Sequence, residues 1–379
     1  MNKSILLGLV LALMVPAVAL ADGVTVGGDL RLRWDYRGVD GAASANNTLA
    51  ETYLNLGGTI SDNVSWGTSM RHGMSFGEAV GTGPGSAAPA YRVQEAYISI
   101  GDLGPAASFL GGWSMELGRM NAPNQGSGRV TNSDNFSLTA GPNNADGYHM
   151  ASEMGGIGVD IYYFGGGGSP AGSADNTLGA SFDLGAMGGF ADIDVHYWGA
   201  SDAAGDPSNL TLNIDNIGGD NLAGLDVDVE YSTRDNDDGG DDGTLTAINI
   251  TYGLGDMGMT LHVSSTIADA DWEGMQDAPH GTNGIADIGH GGVDGADVDN
   301  TTVGLDFSPM EGVDATINYI SLSGDASGDA IGTEIDLILN WACTDSTSME
   351  IGYASYTDDE ATAGGADEDF FYLGTGWSF

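Results

Sequence analysis

Phe370-Phe371-Tyr372-Leu373-Gly374-Thr375-Gly376-Trp377-Ser378-Phe379 places Phe371, Leu373, Trp377 and Phe379 on one parity and Phe370, Tyr372, Gly374, Gly376 and Ser378 on the other. Successive side chains of a strand point to opposite faces, so this segment carries a large apolar face backed by a smaller, more polar one. Such a division suits a wall between lipid and water. The sequence stops on the aromatic, and the segment is expected to be the closing strand of a larger sheet.

The same alternation recurs along the chain. Val24, Val26, Leu30, Leu32, Trp34 and Tyr36 oppose Thr25, Asp29, Arg31, Arg33 and Asp35; Ala191, Ile193, Val195 and Tyr197 oppose Asp192, Asp194 and His196; Leu225, Val227, Val229 and Tyr231 oppose Asp226, Asp228 and Glu230. Period-2 patterning marks eighteen candidate strands, the first over 24–37 and the last over 369–379. Connections after odd strands are long, over 38–50, 73–90, 120–145, 165–176, 233–243, 267–299 and 357–368. Those after even strands are mostly tight, as at Ser61-Asp62, Gly155-Gly156, Leu254-Gly255-Asp256 and Pro309-Met310-Glu311. Transmembrane barrels alternate long extracellular loops with short periplasmic turns in this way. The predicted fold is all-β: an antiparallel up-and-down transmembrane barrel of 18 strands, with 16 the next count. Six of the seven Trp (34, 66, 113, 198, 341 and 377) fall within these strands, all but Trp198 on the apolar parity. They suit interfacial aromatic girdles.

The N-terminus sets the destination. Lys3 precedes an apolar run from Ile5 to Val18, and Ala19-Leu20-Ala21 offers a small-x-small cleavage site. The run is short of the roughly 20 residues a spanning helix needs. Residues 1–21 are therefore expected to be a signal peptide cleaved near Ala21, leaving a barrel over 22–379. Beyond Lys3 the cations are eight Arg against 54 Asp plus Glu, and the net charge is −45. That surface excludes nucleic acid and anionic lipid as partners held by its overall charge. The apolar fraction of 41% argues against an acidic disordered chain. Cys343 is the one cysteine, so no intramolecular disulfide forms.

Signal peptide, loop parity, alternation and terminal Phe379 together resemble the Gram-negative outer-membrane porins. Gly28-Asp29-Leu30-Arg31-Leu32-Arg33-Trp34-Asp35-Tyr36-Arg37 and Arg92-Val93-Gln94-Glu95-Ala96-Tyr97-Ile98 look like 18-stranded porins of the alginate-export kind. The resemblance implies the outer membrane, contact with its lipid and lipopolysaccharide, and small hydrophilic solutes in the lumen. It also implies the barrel-assembly machinery as a partner reading the strand that ends in Phe379. In the alginate-export group an Arg-rich lumen passes anionic saccharides; this chain departs from it in its excess of carboxylates. Trimer contacts would use the same apolar face as lipid, so monomer and homotrimer stay open.

Strand parity assigns to the lumen Asp29, Asp35, Glu95, Glu116, Glu153, Asp160, Asp183, Asp192, Asp194, Asp226, Asp228, Glu230, Asp306, Asp314, Glu334, Asp336 and Glu350. The basic counterparts are Arg31, Arg33 and Arg71, with Arg37, Arg92 and Arg119 nearer the rims. Rings of carboxylates admit cations and repel anions, so a cation-preferring channel is expected. The 120–145 connection carries Arg129 and Asp134. It is expected to fold inward as a constriction whose carboxylates face Arg31, Arg33 and Arg71. The other reading is that these Arg neutralise nearby carboxylates locally. Asp235, Asp237, Asp238, Asp241 and Asp242 cluster in one outer loop, where oxygen ligands could gather Ca²⁺ or Mg²⁺ diffusely; no other cofactor is expected. The six His are scattered without HExxH, GxSxG or Walker spacing, and His149 and Glu153 face away from Ser152, so no enzyme is expected. Two alternatives remain: a substrate-specific channel for oligosaccharides or organic acids using the Arg strip, and an adhesive barrel of negligible conductance.

Overall fold

The computed structural model describes residues 23–41, 44–77, 90–105, 107–121, 144–165, 176–186, 190–201, 206, 208–218, 222, 224–235, 242–255, 258–269, 298–324, 330–358 and 366–379. Eighteen strands follow one another: β1 Val24–Val39, β2 Ala45–Ser61, β3 Val64–Gly77, β4 Ala90–Ile100, β5 Trp113–Asn121, β6 Asn144–Met154, β7 Ile157–Gly165, β8 Asn176–Ala186 and β9 Asp192–Ser201. The second half comprises β10 Ser208–Asp215, β11 Leu225–Asp235, β12 Gly243–Gly253, β13 Met259–Ala268, β14 Val298–Met310, β15 Val313–Gly324, β16 Ala330–Thr344, β17 Thr347–Asp358 and β18 Glu368–Ser378. Each strand pairs antiparallel with its sequence neighbours, and β1 pairs with β18 from Asp29↔Ser378 to Val39↔Glu368. The sheet therefore closes on itself without a free edge. Closure satisfies the backbone groups that lipid could not, each of which would cost several kcal/mol if left bare.

Alternation of exposure along β16 shows which face is which. Ile335 and Leu337 are 53% and 38% exposed, while Glu334 and Asp336 between them are 1% exposed each. The apolar parity is the outer, lipid-facing wall and the polar parity points inward. Trp34, Trp341 and Trp377 are exposed on that outer wall, whereas Trp198 is 1% exposed inside the barrel. The tight connection between β6 and β7 is Gly155-Gly156, both at positive φ of 68° and 86°. A two-residue hairpin turn matched to the twist of its strands asks for this at both central positions.

Several boundaries differ from the sequence expectation: β3 runs on to Gly77, β11 to Asp235 and β16 to Thr344, and Pro309 and Met310 end β14 rather than lie in the turn. The first connection spans only 40–44 rather than 38–50, because β2 begins at Ala45; Ala45 to Ala50 holds polar and small residues on both parities, which hid the strand. Strand five starts at Trp113 rather than 108, because Ser108–Leu110 form a 3-10 turn and Gly112 (φ 84°) breaks the extended chain. The constriction expected over 120–145 has its ends in β5 and β6, and its remainder lies outside the described residues. So do residues 1–21, expected as a signal peptide, and Arg129 and Asp134.

Candidate functional site: the barrel lumen

The basic strip sits on β1 to β3. Arg71 Nε donates to Glu51 Oε1 at 3.0 Å, with a second, shorter contact from Nη2, and both residues are buried. Arg33 Nε donates to Asp35 Oδ1 at 2.5 Å, and Arg37 lies 3.4 Å from Glu368. Arg31 is exposed and stands over the Tyr53 ring at 5.4 Å, with Arg71 against the same ring at 5.6 Å. Two of the three Arg expected to face a constriction loop are thus matched by carboxylates on their own or the adjoining strand. Glu51 was not anticipated: the expected second strand began at that residue, which left it without a parity. Its alternation with Thr52, Tyr53 and Leu54 was the available signal.

Aromatic residues border the strip. Arg33 lies over Tyr372 at 4.3 Å and over Phe370 at 5.5 Å, and Arg37 over Phe370 at 5.8 Å. Phe370 and Tyr372 belong to a buried group with Ile320, Leu322, Ile331, Ala354 and Tyr356. A side chain at Gly352 would collide with the Tyr372 ring, so the glycine is what lets the ring lie flat against β17. A second aromatic group holds Trp198 stacked on Tyr162 at 5.7 Å and on Phe164 at 6.0 Å. Each of those three rings is buried on the inner parity, so the barrel is not an empty tube at this level.

The acidic panel occupies β8 to β11. Register puts Asp183 opposite Asp194, Asp192 opposite Asp215, Asp194 opposite Asn213 and Asn213 opposite Glu230. Asp226 and Asp228 continue it on β11. Two carboxylates are also tied to turns: Asp183 accepts from the Gly185 amide at 2.7 Å and Asp228 from the Asn216 amide at 2.9 Å. Among the described residues no Arg or Lys lies between these carboxylates; Arg234, which the strand pattern puts in the 233–243 connection, is on β11 and points inward farther up. In a ring of eighteen strands β11 stands across from β2, so the strip and the panel face each other through the lumen.

The remaining assigned carboxylates lie between. Glu95 and Glu116 flank Tyr97 on β4 and β5, and Glu350 on β17 adjoins Tyr372 of β18. Asp29 stands on the inner parity of β1 and Glu153, exposed, on that of β6. His149 Nε2 lies 2.8 Å from Asp160. His262 bridges Asp306 at 3.0 Å and Asn318 at 2.9 Å, and Thr316 donates to the same Asp306 at 2.6 Å. Ser152 turns away from His149 and donates to the Gly112 carbonyl at 3.1 Å. One basic assignment needs correction: Arg119 shares the parity of Trp113, Met115 and Leu117 and faces outward, where it pairs with Asp146. Counted from lumenal Glu116, three residues earlier, Arg119 falls on the opposite face of the strand.

Among the described residues no group of three or more His, Cys, Asp or Glu is placed to share a metal ion. Of the acidic loop cluster, Asp235 ends β11 and Asp242 precedes β12, both exposed; Asp237, Asp238 and Asp241 lie outside the described residues.

A closed 18-stranded barrel with an apolar outer band and a charged interior defines a transmembrane β-barrel with the porin fold. Solved structures agree. Pseudomonas aeruginosa OccK5 (OpdH) matches with a TM-score of 0.66 at 13% identity, covering 93% of this chain and 98% of that one. Acinetobacter baumannii OccAB4 matches at 0.63 and 12% identity, covering 94% and 99%. P. aeruginosa OpdK, solved with vanillate, matches at 0.61 and 14% identity, covering 93% and 98%. No protein-family profile matches the sequence, and no curated protein does. The fold is that of these outer-membrane proteins.

Proposed function

We propose that the protein is a water-filled channel for passive diffusion of small hydrophilic solutes and that it prefers cations. The observation carrying this reading is the imbalance across the lumen. Arg33, Arg37 and Arg71 each have a carboxylate beside them, whereas among the described residues no Arg or Lys adjoins the panel of Asp183, Asp192, Asp194, Asp215, Asp226 and Asp228. Carboxylates offset part of the hydration a cation sheds and repel anions. The test is the zero-current potential of the refolded mature barrel in a planar bilayer under a salt gradient. A cation-selective potential supports the reading and an anion-selective one sinks it.

A second reading is favoured by one arrangement. Exposed Arg31 over the Tyr53 ring offers a guanidinium beside an aromatic face, which suits an organic acid with a planar ring. That OpdK was solved with vanillate makes a ring carboxylate the first solute to try; oligosaccharide acids come next. Saturable block of the current by such a solute, lost in Arg31→Gln, would favour this reading. Absence of any current from well-folded protein would favour an adhesive barrel.

A further inference from the structure

Arg119 and Asp146 are an oddity of the outer wall. Arg119 is the one arginine among the described side chains that points outward, and its partner shares that face. The pair is bidentate: Nε donates to Asp146 Oδ1 at 2.8 Å and Nη2 to Oδ2 at 3.0 Å. A guanidinium carries five N–H donors in a fixed fork, so this pairing orients the group and leaves three donors unused by Asp146. The pair lies one step beyond Tyr148, whose ring stacks on Tyr163 at 5.5 Å, toward the extracellular ends of β5 and β6. Outward tyrosines mark the level where acyl chains give way to headgroups.

Directly below the pair the wall is indented. A groove of about 570 Å³ is lined by Val93, Ala96, Leu117, Tyr148 and Tyr163, with Arg119 and Asp146 at its head. Its cause is a bulge in β4. Register against β3 shifts between Ser69↔Glu95 and Met70↔Val93, and among the described residues the pairing of β4 with β5 runs from Ile100↔Met115 to Ala96↔Arg119. A bulge bends its strand and sharpens the local twist, which opens the seam.

We propose that this groove is a binding site for a phosphorylated lipid of the outer leaflet, the lipid A portion of lipopolysaccharide. An acyl chain lies along Val93, Leu117 and the tyrosines while a phosphate oxygen accepts from the free edge of Arg119. The overall acidic surface gives such a lipid no general attraction, so the fit is local: the apolar groove takes the acyl part and the unused N–H groups of the paired Arg119 take the phosphate, at the level the tyrosines mark. Asp146 holds the guanidinium in place at the cost of competing with the phosphate.

The competition gives a test in which the two variants move in opposite directions. Refolded full-length mature barrel in lipid-free detergent is titrated with diphosphoryl lipid A, and with the same lipid dephosphorylated, and one-to-one complexes are counted by native mass spectrometry. The expected result is a bound lipid A whose affinity falls about tenfold in Arg119→Gln and rises severalfold in Asp146→Asn, with the dephosphorylated lipid binding weakly to all three. Lower affinity in both variants would mean that breaking the pair merely loosens the wall, and would overturn the proposal. So would equal binding of the two lipids, or an Arg119-dependent oligomer of barrels in place of the lipid complex.

Discussion

Removing the carboxylate of Glu51 should be among the most damaging changes the lumen can suffer. Glu51 is 1% exposed and Arg71 8%, and the two meet through paired contacts from Nε and Nη2. Glu51→Ala leaves a buried guanidinium with only the Tyr53 ring, 5.6 Å away, to face it. Breaking a buried pair by deleting one partner costs about 3–5 kcal/mol, and the surviving ring contact argues for about 3 kcal/mol, a factor of roughly 150 in the unfolding equilibrium. Urea titration of the barrel in lipid vesicles, followed by tryptophan fluorescence, reads that change as a lower midpoint at unchanged slope. Replacing both partners, Glu51→Leu with Arg71→Met, removes the stranded charge and should return stability to within about 1 kcal/mol of the native barrel. A loss of only about 0.5 kcal/mol in Glu51→Ala would place the pair in the range of solvated surface ion pairs and refute the reasoning.

Further outcomes follow from other parts of the wall. Gly352→Val drives a side chain into the Tyr372 ring and should cost about 2 kcal/mol by the same titration; an unchanged midpoint would mean that the ring is free to move. Ile335→Arg puts a charge on the exposed lipid face of β16 and should cost about 2–4 kcal/mol in vesicles, with no loss expected if that face were instead the lumen. Phe379 exchanges backbone hydrogen bonds of 3.0 and 3.1 Å with Gly28 across the closing β1–β18 seam. Its deletion should slow folding into vesicles bearing the barrel-assembly machinery, as read by gel mobility, and an unaltered rate would remove that machinery's proposed dependence on the last residue.

The wall was legible in the sequence because lipid and water impose opposite demands on alternate residues. Leu30 through Tyr36, Leu225 through Tyr231 and Phe371 through Phe379 each state both faces at once. Legibility failed where one face is not defined. Polar residues on both parities from Ala45 to Ala50 hid the start of β2 and with it the partner of Arg71. Phe109 and Leu110 imitated a strand start although Gly111-Gly112 interrupt the chain there. Arg119 looked lumenal because polar residues belong inside by rule, whereas its strand parity and its bidentate partner Asp146 put it outside. The opposition of Arg strip and acidic panel needed the closed ring, since residues 31 to 71 and 183 to 230 meet only when β18 returns to β1.

The most direct test of the central claim is the zero-current potential of the native barrel beside that of Asp192→Asn/Asp194→Asn/Asp226→Asn/Asp228→Asn under the same salt gradient. Cation selectivity in the native channel, falling toward zero in the quadruple variant at low salt, where screening lengths exceed about 10 Å, is the predicted result. A potential unchanged by the four substitutions, or anion selectivity in the native channel, would contradict the account.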